Sequence, residues 1–405
     1  MTKKTASVNE ISRNLSIIGV TGTNGKTSIT HFIAQLLAVA GIRCGLIGTL
    51  GFGELGALVP SGYTTPDLLA NQRILEDFKQ KSIKVVAMEV SSHALDQHRV
   101  KGIHFHTGIF SNLTHDHLDY HKTFDHYWTT KKKLWTEGQP AFCVANAEDP
   151  YGLDLLDSSI RAKKIAYTTQ SIAALKGVDN ITVQDLIFDP QGIRAWIKTP
   201  WGEGLLASSL WGRFNLSNLL AAIAGACLEG MAFQSVLEAI PALHTVLGRM
   251  MRIGGINQQP LVVVDYAHTP DALVQVLRAV RLHMNRMGQL WVVIGCGGDR
   301  DKAKRPLMAG LAEAQADRLI LTQDNPRTED PKAIMHDMIQ GLKNPEKVMI
   351  EYDRRKAIEQ VIVQAKPEDL ILVAGKGHES MQIIGSTSFP FSDSEVVQQC
   401  LETLA

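Results

Sequence analysis

Apolar runs and helix-period stretches alternate along most of the chain. SIIGV is followed by SITHFIAQLLAVA, and VVAMEV and TGIFSNL come next, each short and apolar enough for a strand buried on both faces. That alternation predicts βα units feeding a parallel sheet. Between Lys163 and Leu210 the texture changes to short polar and apolar alternations such as GIRAWIKTPWGEGLLASSL, which predict an antiparallel hairpin or a small inserted sheet. NLSNLLAAIAGACLEG then reads as a helix stopped by a glycine. From Leu261 the alternation restarts: LVVVDY, LWVVIG, RLILTQ, KVMIEY and LILVAG are strand candidates, with helices expected to begin near Asp271, Arg305, Pro331 and Arg354. The fold class is α/β in two domains, 1–245 and 246–405, divided within ALHTVLGR.

A chain of 405 residues exceeds one ordinary core, in keeping with that division. Lys plus Arg equals Asp plus Glu at 41 each, so no global field draws the protein to nucleic acid or an anionic membrane, and any anion site must be local. The basic start MTKKTASVNEISRN has no apolar stretch behind it, and no run of about 18 apolar residues occurs. Cys44, Cys143, Cys227, Cys296 and Cys400 are widely spaced, without a zinc or redox pair. A soluble cytoplasmic chain with buried free thiols is expected.

The first strand candidate runs into TGTNGKT. Glycines let consecutive N–H groups and a helix N-terminus face an anion, and a lysine adds a mobile charge. Gly22, Gly25, Lys26 and Thr27 supply these parts, with Thr23 and Asn24 between them. The general spacing G-x-x-x-x-G-K-[ST] is missed, since Val20 stands where the first glycine should be. The strand before and helix after still point to a nucleoside triphosphate, with Thr27 placed as a magnesium ligand. Glu89, at the end of VVAMEV, is a natural second magnesium ligand. SNLTHDHLDYH then crowds an asparagine, three histidines and two aspartates together, an oxygen-rich setting better matched to magnesium with one imidazole than to zinc. Lys131, Lys132 and Lys133, read by charge alone, form a basic helix face.

Taken in order, TGTNGKT, MEVSSHALDQHRV, NLTHDHLDYH, GRFNLSN, VVVDYAHTPDAL, GCGGDRDKAKRPLM, DNPRTEDP and VAGKGHE resemble the Mur ligases, and most closely the diaminopimelate-adding UDP-N-acetylmuramoyl-tripeptide synthetases of peptidoglycan synthesis. The resemblance implies a P-loop-type central ATPase domain followed by a Rossmann-like one, and an ATP-dependent amide ligase acting through an acyl phosphate. It implies that Lys26 and Thr27 hold phosphates and a first magnesium together with Glu89, that His117 binds a second magnesium, and that Lys131 is carbamylated. Asn218, Arg249 and Asp265 would meet the nucleotide. Thr64, Thr65, Ser91, Gln97 and Arg99 would contact the muramoyl peptide. Asp324, Asn325 and Arg327, with Arg300, Gly375 and Glu379, would select meso-diaminopimelate, whose second carboxylate suits an arginine fork.

Relatives of this kind carry a further N-terminal domain that grips uridine diphosphate, whereas here the phosphate loop begins at Thr21. The expectation is a chain lacking that domain, which binds its acceptor weakly or with a partner supplying the missing part. A ligase repurposed for an acceptor without UDP and an inactive regulatory paralogue are the alternatives. Met251, where an acid is usual, and Ser394, where an arginine is common, also depart from the pattern.

Overall fold

The run Val85–Glu89 is buried at every position, as a parallel strand covered on both faces must be. In the computed structural model, which describes residues 7–170, 175–256, 258–284 and 287–404, this strand lies beside the one that delivers the phosphate loop. The chain divides into two units, Met1–Ile187 with Gly192–His244, and Phe188–Gln191 with Thr245–Ala405.

The first unit is built on a ten-stranded sheet ordered Gly202–Ser208, Gly192–Thr199, Asp179–Asp189, Lys163–Tyr167, Phe142–Asn146, Thr107–Phe110, Ser16–Thr21, Val85–Glu89, Cys44–Gly48 and Gly51–Gly53. The strands from Asp179–Asp189 to Cys44–Gly48 run parallel to one another, and Gly51–Gly53 pairs antiparallel at the edge. The expected antiparallel hairpin is present, with Gly202–Ser208 paired to Gly192–Thr199. It forms no separate small sheet: Ile165–Tyr167 offers a hydrogen-bonding edge that Asp179–Ile181 takes up in parallel, and the sheet continues. Ser16–Thr21 sits between Val85–Glu89 and Thr107–Phe110, with Val20 opposite Glu89 and Thr21 opposite Phe110. The chain leaves this central strand in one direction and later returns to its other side, so a crevice opens at the carboxyl ends where the order reverses.

Helices cover the sheet for local reasons. Asp67 caps Leu68–Gln80 by accepting from Ala70 N, and Thr123 caps Phe124–Thr136 by accepting from His126 N. The small residues of Arg213–Leu228 let it pack closely on Lys26–Val39, since a Cβ at Gly225 would come within 2.8 Å of Ile33.

The second unit holds a six-stranded sheet ordered Met251–Gly254, Leu261–Asp265, Leu370–Ala374, Leu290–Ile294, Arg318–Leu321 and Met349–Ile350, antiparallel only at its first pair. All five predicted strands are there, and helices begin at Pro270, Lys304, Pro331 and Arg354. Thr269, Asp330 and Asp353 cap three of them through backbone N–H groups. The edge strand Met251–Gly254, the hairpin Met381–Ile384 with Thr387–Pro390, and the helix Asp393–Leu404 were not anticipated.

Among the described residues no helix is long and apolar enough to cross a membrane. All five cysteines are free; four are buried and Cys400 is half-buried.

Arg354 and Asp393 open two helices and form a bidentate pair with both side chains at 0% exposure, at 2.7 Å through Nε and Nη2. The guanidinium also donates to Gln323 O and Ala374 O at the ends of two strands. Asp393→Ala strands a buried cation, and is expected to destabilise the second unit by about 3–5 kcal/mol. Urea unfolding followed by circular dichroism should show the earlier transition.

Candidate active site

The loop after Ser16–Thr21 is shaped by two glycines. Gly22 and Gly25 have φ of +145° and +90°, and a Cβ would lie 1.9 Å from Ser111 Oγ at the first and 2.5 Å from Asn218 Oδ1 at the second. Neither position admits a side chain. Asn112 holds the loop from the neighbouring strand end, accepting from Asn24 N through Oδ1 and from Thr23 N through its carbonyl. Gly25 is the N-cap of Lys26–Val39 and provides no side-chain cap, so the positive end of the helix faces the loop. Lys26 folds back here, donating from Nζ to Gly22 O at 2.9 Å and Thr23 O at 2.8 Å. This cradle fits a phosphate group.

Glu89 is 1% exposed, and its Oε2 accepts from Thr27 Oγ1 at 3.0 Å and from Thr49 Oγ1 at 3.1 Å. Its Oε1 accepts from Thr49 N at 2.9 Å. A hydroxyl and a carboxylate brought together beside a phosphate cradle are a fitting pair for magnesium, which keeps waters and phosphate oxygens in its shell. Among the described residues no three of histidine, cysteine, aspartate and glutamate form a ready metal cage.

The five residues expected to contact the acceptor are linked to one another and to Glu89 by a chain of hydrogen bonds. Thr64 Oγ1 lies 3.1 Å from Thr49 Oγ1. Thr65 Oγ1 donates to Glu89 O and accepts from Ser91 N. Ser91 caps the short helix that follows it. Arg99 grips Gln97 Oε1 through Nε and Nη2, donates from Nη1 to Thr65 O, and lies 5.2 Å from the Tyr63 ring centroid.

The triple-lysine run separates. Lys132 pairs with Asp154 and Lys133 with Asp96 at the surface, so the basic-face reading holds for them. It fails for Lys131, which is 1% exposed because it shares a helical stripe with buried Tyr127, Leu134 and Trp135. Lys131 Nζ donates to Gly22 O at 2.9 Å and lies 4.7 Å from the Tyr127 ring centroid. Burial, and then the charge of Lys26, hold its amine well below the usual lysine range. His117 adopts left-handed φ of 54°. Burial lowers its pKa, with Asp116 opposing and Lys26, His93 and Lys131 adding to the shift. A neutral imidazole is the form that binds a cation. His121 instead packs inward, bonded to Ser92 and stacked on Tyr127. Asn218 stands against Gly25.

In the second unit Arg300, Asp324, Asn325, Arg327, Gly375 and Glu379 follow the carboxyl ends of parallel strands, Asp265 ends one, and Arg249 precedes the edge strand. Asp265 accepts from Met250 N and Ala267 N, fixing the turn that carries Arg249. Burial raises its pKa against the pull of Arg249. The Arg249 guanidinium lies 4.7 Å from the Tyr266 ring centroid. Gly375, with φ of +120°, donates to Asp265 O, and a Cβ there would strike Asp324 Oδ2 at 2.7 Å. Asn325 Nδ2 donates to Glu379 Oε2 at 2.8 Å, and Arg327 Nη1 donates to Gly298 O at 2.8 Å. Arg300 is exposed on the same GCGGDR turn as Gly298.

Two contributors carried no signal in their spacing. Thr49 orders Glu89 with both its N–H and its hydroxyl, and Tyr127 supports the loop through a 3.2 Å contact of its hydroxyl with Thr23 Oγ1. The aromatic stripe of Phe124–Thr136 could have exposed the second of these.

The chain matches the model of the Mur ligase middle domain over residues 20–226, and that of the Mur ligase glutamate ligase domain over residues 248–377. It is 46% identical to the UDP-N-acetylmuramoyl-L-alanyl-D-glutamate–2,6-diaminopimelate ligase of Ectopseudomonas mendocina, over 95% of this chain and 77% of that one. A solved structure of a ligase with the same name is 38% identical and superposes with a TM-score of 0.70, covering 96% of this chain and 79% of that chain. The folylpolyglutamate synthase of Mycobacterium tuberculosis, at 16% identity and a TM-score of 0.71, covers 98% of this chain and 92% of its own, and shares the fold. Because the matches extend over both units and all the motifs between them, this chain belongs to the Mur ligase family.

Proposed function

We propose that this protein is an ATP-dependent ligase that joins meso-diaminopimelate to the D-glutamate carboxylate of UDP-N-acetylmuramoyl-L-alanyl-D-glutamate, a step of peptidoglycan precursor synthesis in the cytoplasm. The observation that carries the choice of amine is the grouping of Arg327, Asn325 and Glu379 after the strand ends of the second unit, in a chain 46% identical to a ligase named for that substrate. Diaminopimelate presents two ammonium and two carboxylate groups. A guanidinium fork answers a carboxylate and Glu379 answers an ammonium. Lysine lacks the second carboxylate and would leave Arg327 unpaired, which is a strong basis for rejection.

A carboxylate is a poor electrophile, so the acceptor must be activated. The γ-phosphoryl group passes from ATP to the acceptor oxygen, giving an acyl phosphate and ADP. The amine then attacks the carbonyl carbon, the C–N bond forms as the bond to the phosphate oxygen breaks, and the amine loses a proton. Gly22 to Thr27 cradle the phosphates, and the Lys26 ammonium leaves the loop carbonyls for them. Thr27 and Glu89 would hold one magnesium and His117 a second; when bound, these ions neutralise charge on the phosphates. Thr64, Thr65, Ser91, Gln97 and Arg99 would present the acceptor carboxylate beside the phosphate loop, an assignment supported by the Thr65 bond to Glu89 O. Asn218, Arg249 and Asp265 are proposed to serve the nucleotide.

Lys131 is proposed to be carbamylated. Addition of carbon dioxide needs a neutral amine, and burial favours that form. The product is an anion beside the Lys26 ammonium, at a carbonyl that both lysine nitrogens share. Carbamylation thus sets a negative charge against Lys26.

Phosphate release measured with ATP, magnesium, diaminopimelate and the UDP-linked dipeptide tests the proposal; absence of acceptor-dependent turnover overturns it. Lys131→Ala is expected to lower kcat by about 100-fold or more, with nucleotide affinity changed by less than about tenfold, and excess bicarbonate should not restore it. An active variant removes the carbamate. Arg327→Ala should reduce kcat/KM for diaminopimelate by at least about 100-fold and leave KM for ATP within about threefold, and an equal loss of both contradicts a selective role.

A further inference from the structure

Lys376 lies between Gly375 and Gly377, both with positive φ, and its side chain is 0% exposed. A buried ammonium is tolerated only when its donors are satisfied. Here all three have acceptors: Asn325 Oδ1 at 3.0 Å, Glu379 Oε2 at 2.9 Å and Met381 O at 2.8 Å. With no exposure and no spare donor, Lys376 cannot touch a substrate.

It does determine what its neighbours present. Asn325 Oδ1 accepts from Lys376 and from Ile383 N, which fixes the amide orientation and directs Nδ2 to Glu379 Oε2. Glu379 Oε2 therefore receives two internal bonds, whereas its side chain keeps 31% exposure. Oε1 is left to face an incoming group. We infer that Lys376 is a positioning residue for the amine substrate, acting through Asn325 and Glu379 to aim one carboxylate oxygen at a substrate ammonium. The inference rests on diaminopimelate being the amine.

Without Lys376, Glu379 loses its internal counter-charge and Asn325 Oδ1 loses one of its two donors. In steady-state assays, Lys376→Met should raise KM for diaminopimelate about 10- to 100-fold, with KM for ATP and acceptor within about threefold. In a Glu379→Gln background the same change should add less than about threefold, because the carboxylate through which Lys376 acts is gone. Independent, multiplicative effects, or a parallel rise in KM for ATP, overturn the inference, as does an unchanged KM for diaminopimelate. If Lys376→Met fails to fold by circular dichroism, Lys376→Gln, which is polar but shorter and uncharged, is judged by the same criteria. A wild-type enzyme inactive with diaminopimelate defeats the functional reading itself; an active one with an unaffected Lys376→Met variant defeats only the role of Lys376.

Discussion

One backbone oxygen organises the phosphate site. The carbonyl of Gly22 accepts from Lys26 Nζ and from Lys131 Nζ, each at 2.9 Å, and the second lysine is almost wholly buried. Two cations there, in a region of low dielectric, would repel each other more strongly than in water, and burial together with the Lys26 charge accordingly holds the Lys131 amine well below the usual lysine range. The nearby Glu89 carboxylate is held in place by Thr27 and Thr49. A phosphate entering the loop offers the Lys26 ammonium an anionic acceptor in place of the carbonyls of Gly22 and Thr23. The glycines, the helix N-terminus and Asn112 then act as geometry, holding the loop in a shape that fits a phosphate.

The second unit handles buried cations in the opposite way. Arg354 is matched by Asp393, Lys376 by Glu379, and Arg305, at 0% exposure, by Glu329 and Asp337. Paired in this manner, a buried cation gives position rather than affinity. Arg354 ties the ends of two strands and Arg305 reaches Gly297 O on the GCGGDR turn. Arg300 and Arg327 are less enclosed than these. Within one chain, the phosphate loop sets two lysine nitrogens on one carbonyl, one of them held towards its neutral form, and the second unit keeps its buried cations charged by pairing them with carboxylates.

The alternation of strand and helix was legible because parallel strands are covered on both faces and their helices carry local caps such as Asp67, Thr123 and Asp353. The phosphate loop was legible for the same local reason: its parts are adjacent in sequence. Thr49 was not, since its value comes from the approach of Cys44–Gly48 to Val85–Glu89, a register fixed only by folding. Lys131 is the intermediate case. Charge counting placed it with Lys132 and Lys133, whereas helical phase puts it on the stripe of Tyr127, Leu134 and Trp135. Periodicity held the answer that composition hid. The hairpin Met381–Pro390 was missed because its outer strand, Thr387–Pro390, is exposed throughout and buries no apolar face that would produce a pattern.

That hairpin matters more than its size suggests. Arg327 has φ of 52°, a left-handed conformation that costs a residue with a Cβ about 1–2 kcal/mol. Strain of this kind persists only where the surroundings impose it. Here the hairpin does so: Arg327 N donates to Ile383 O and Gly385 N donates to Arg327 O, while Ile383 N donates to Asn325 Oδ1 and Gln382 Nε2 to Asp324 O. The conformation of the DNPR segment is thus set by hydrogen bonds from an element with little core of its own. Apolar packing fixes distances between elements but tolerates small rotations, whereas a ladder of backbone bonds fixes the direction of each side chain it carries. Selecting a second carboxylate is a directional task. A strained arginine held by a hydrogen-bonded strap is a physical means of meeting it.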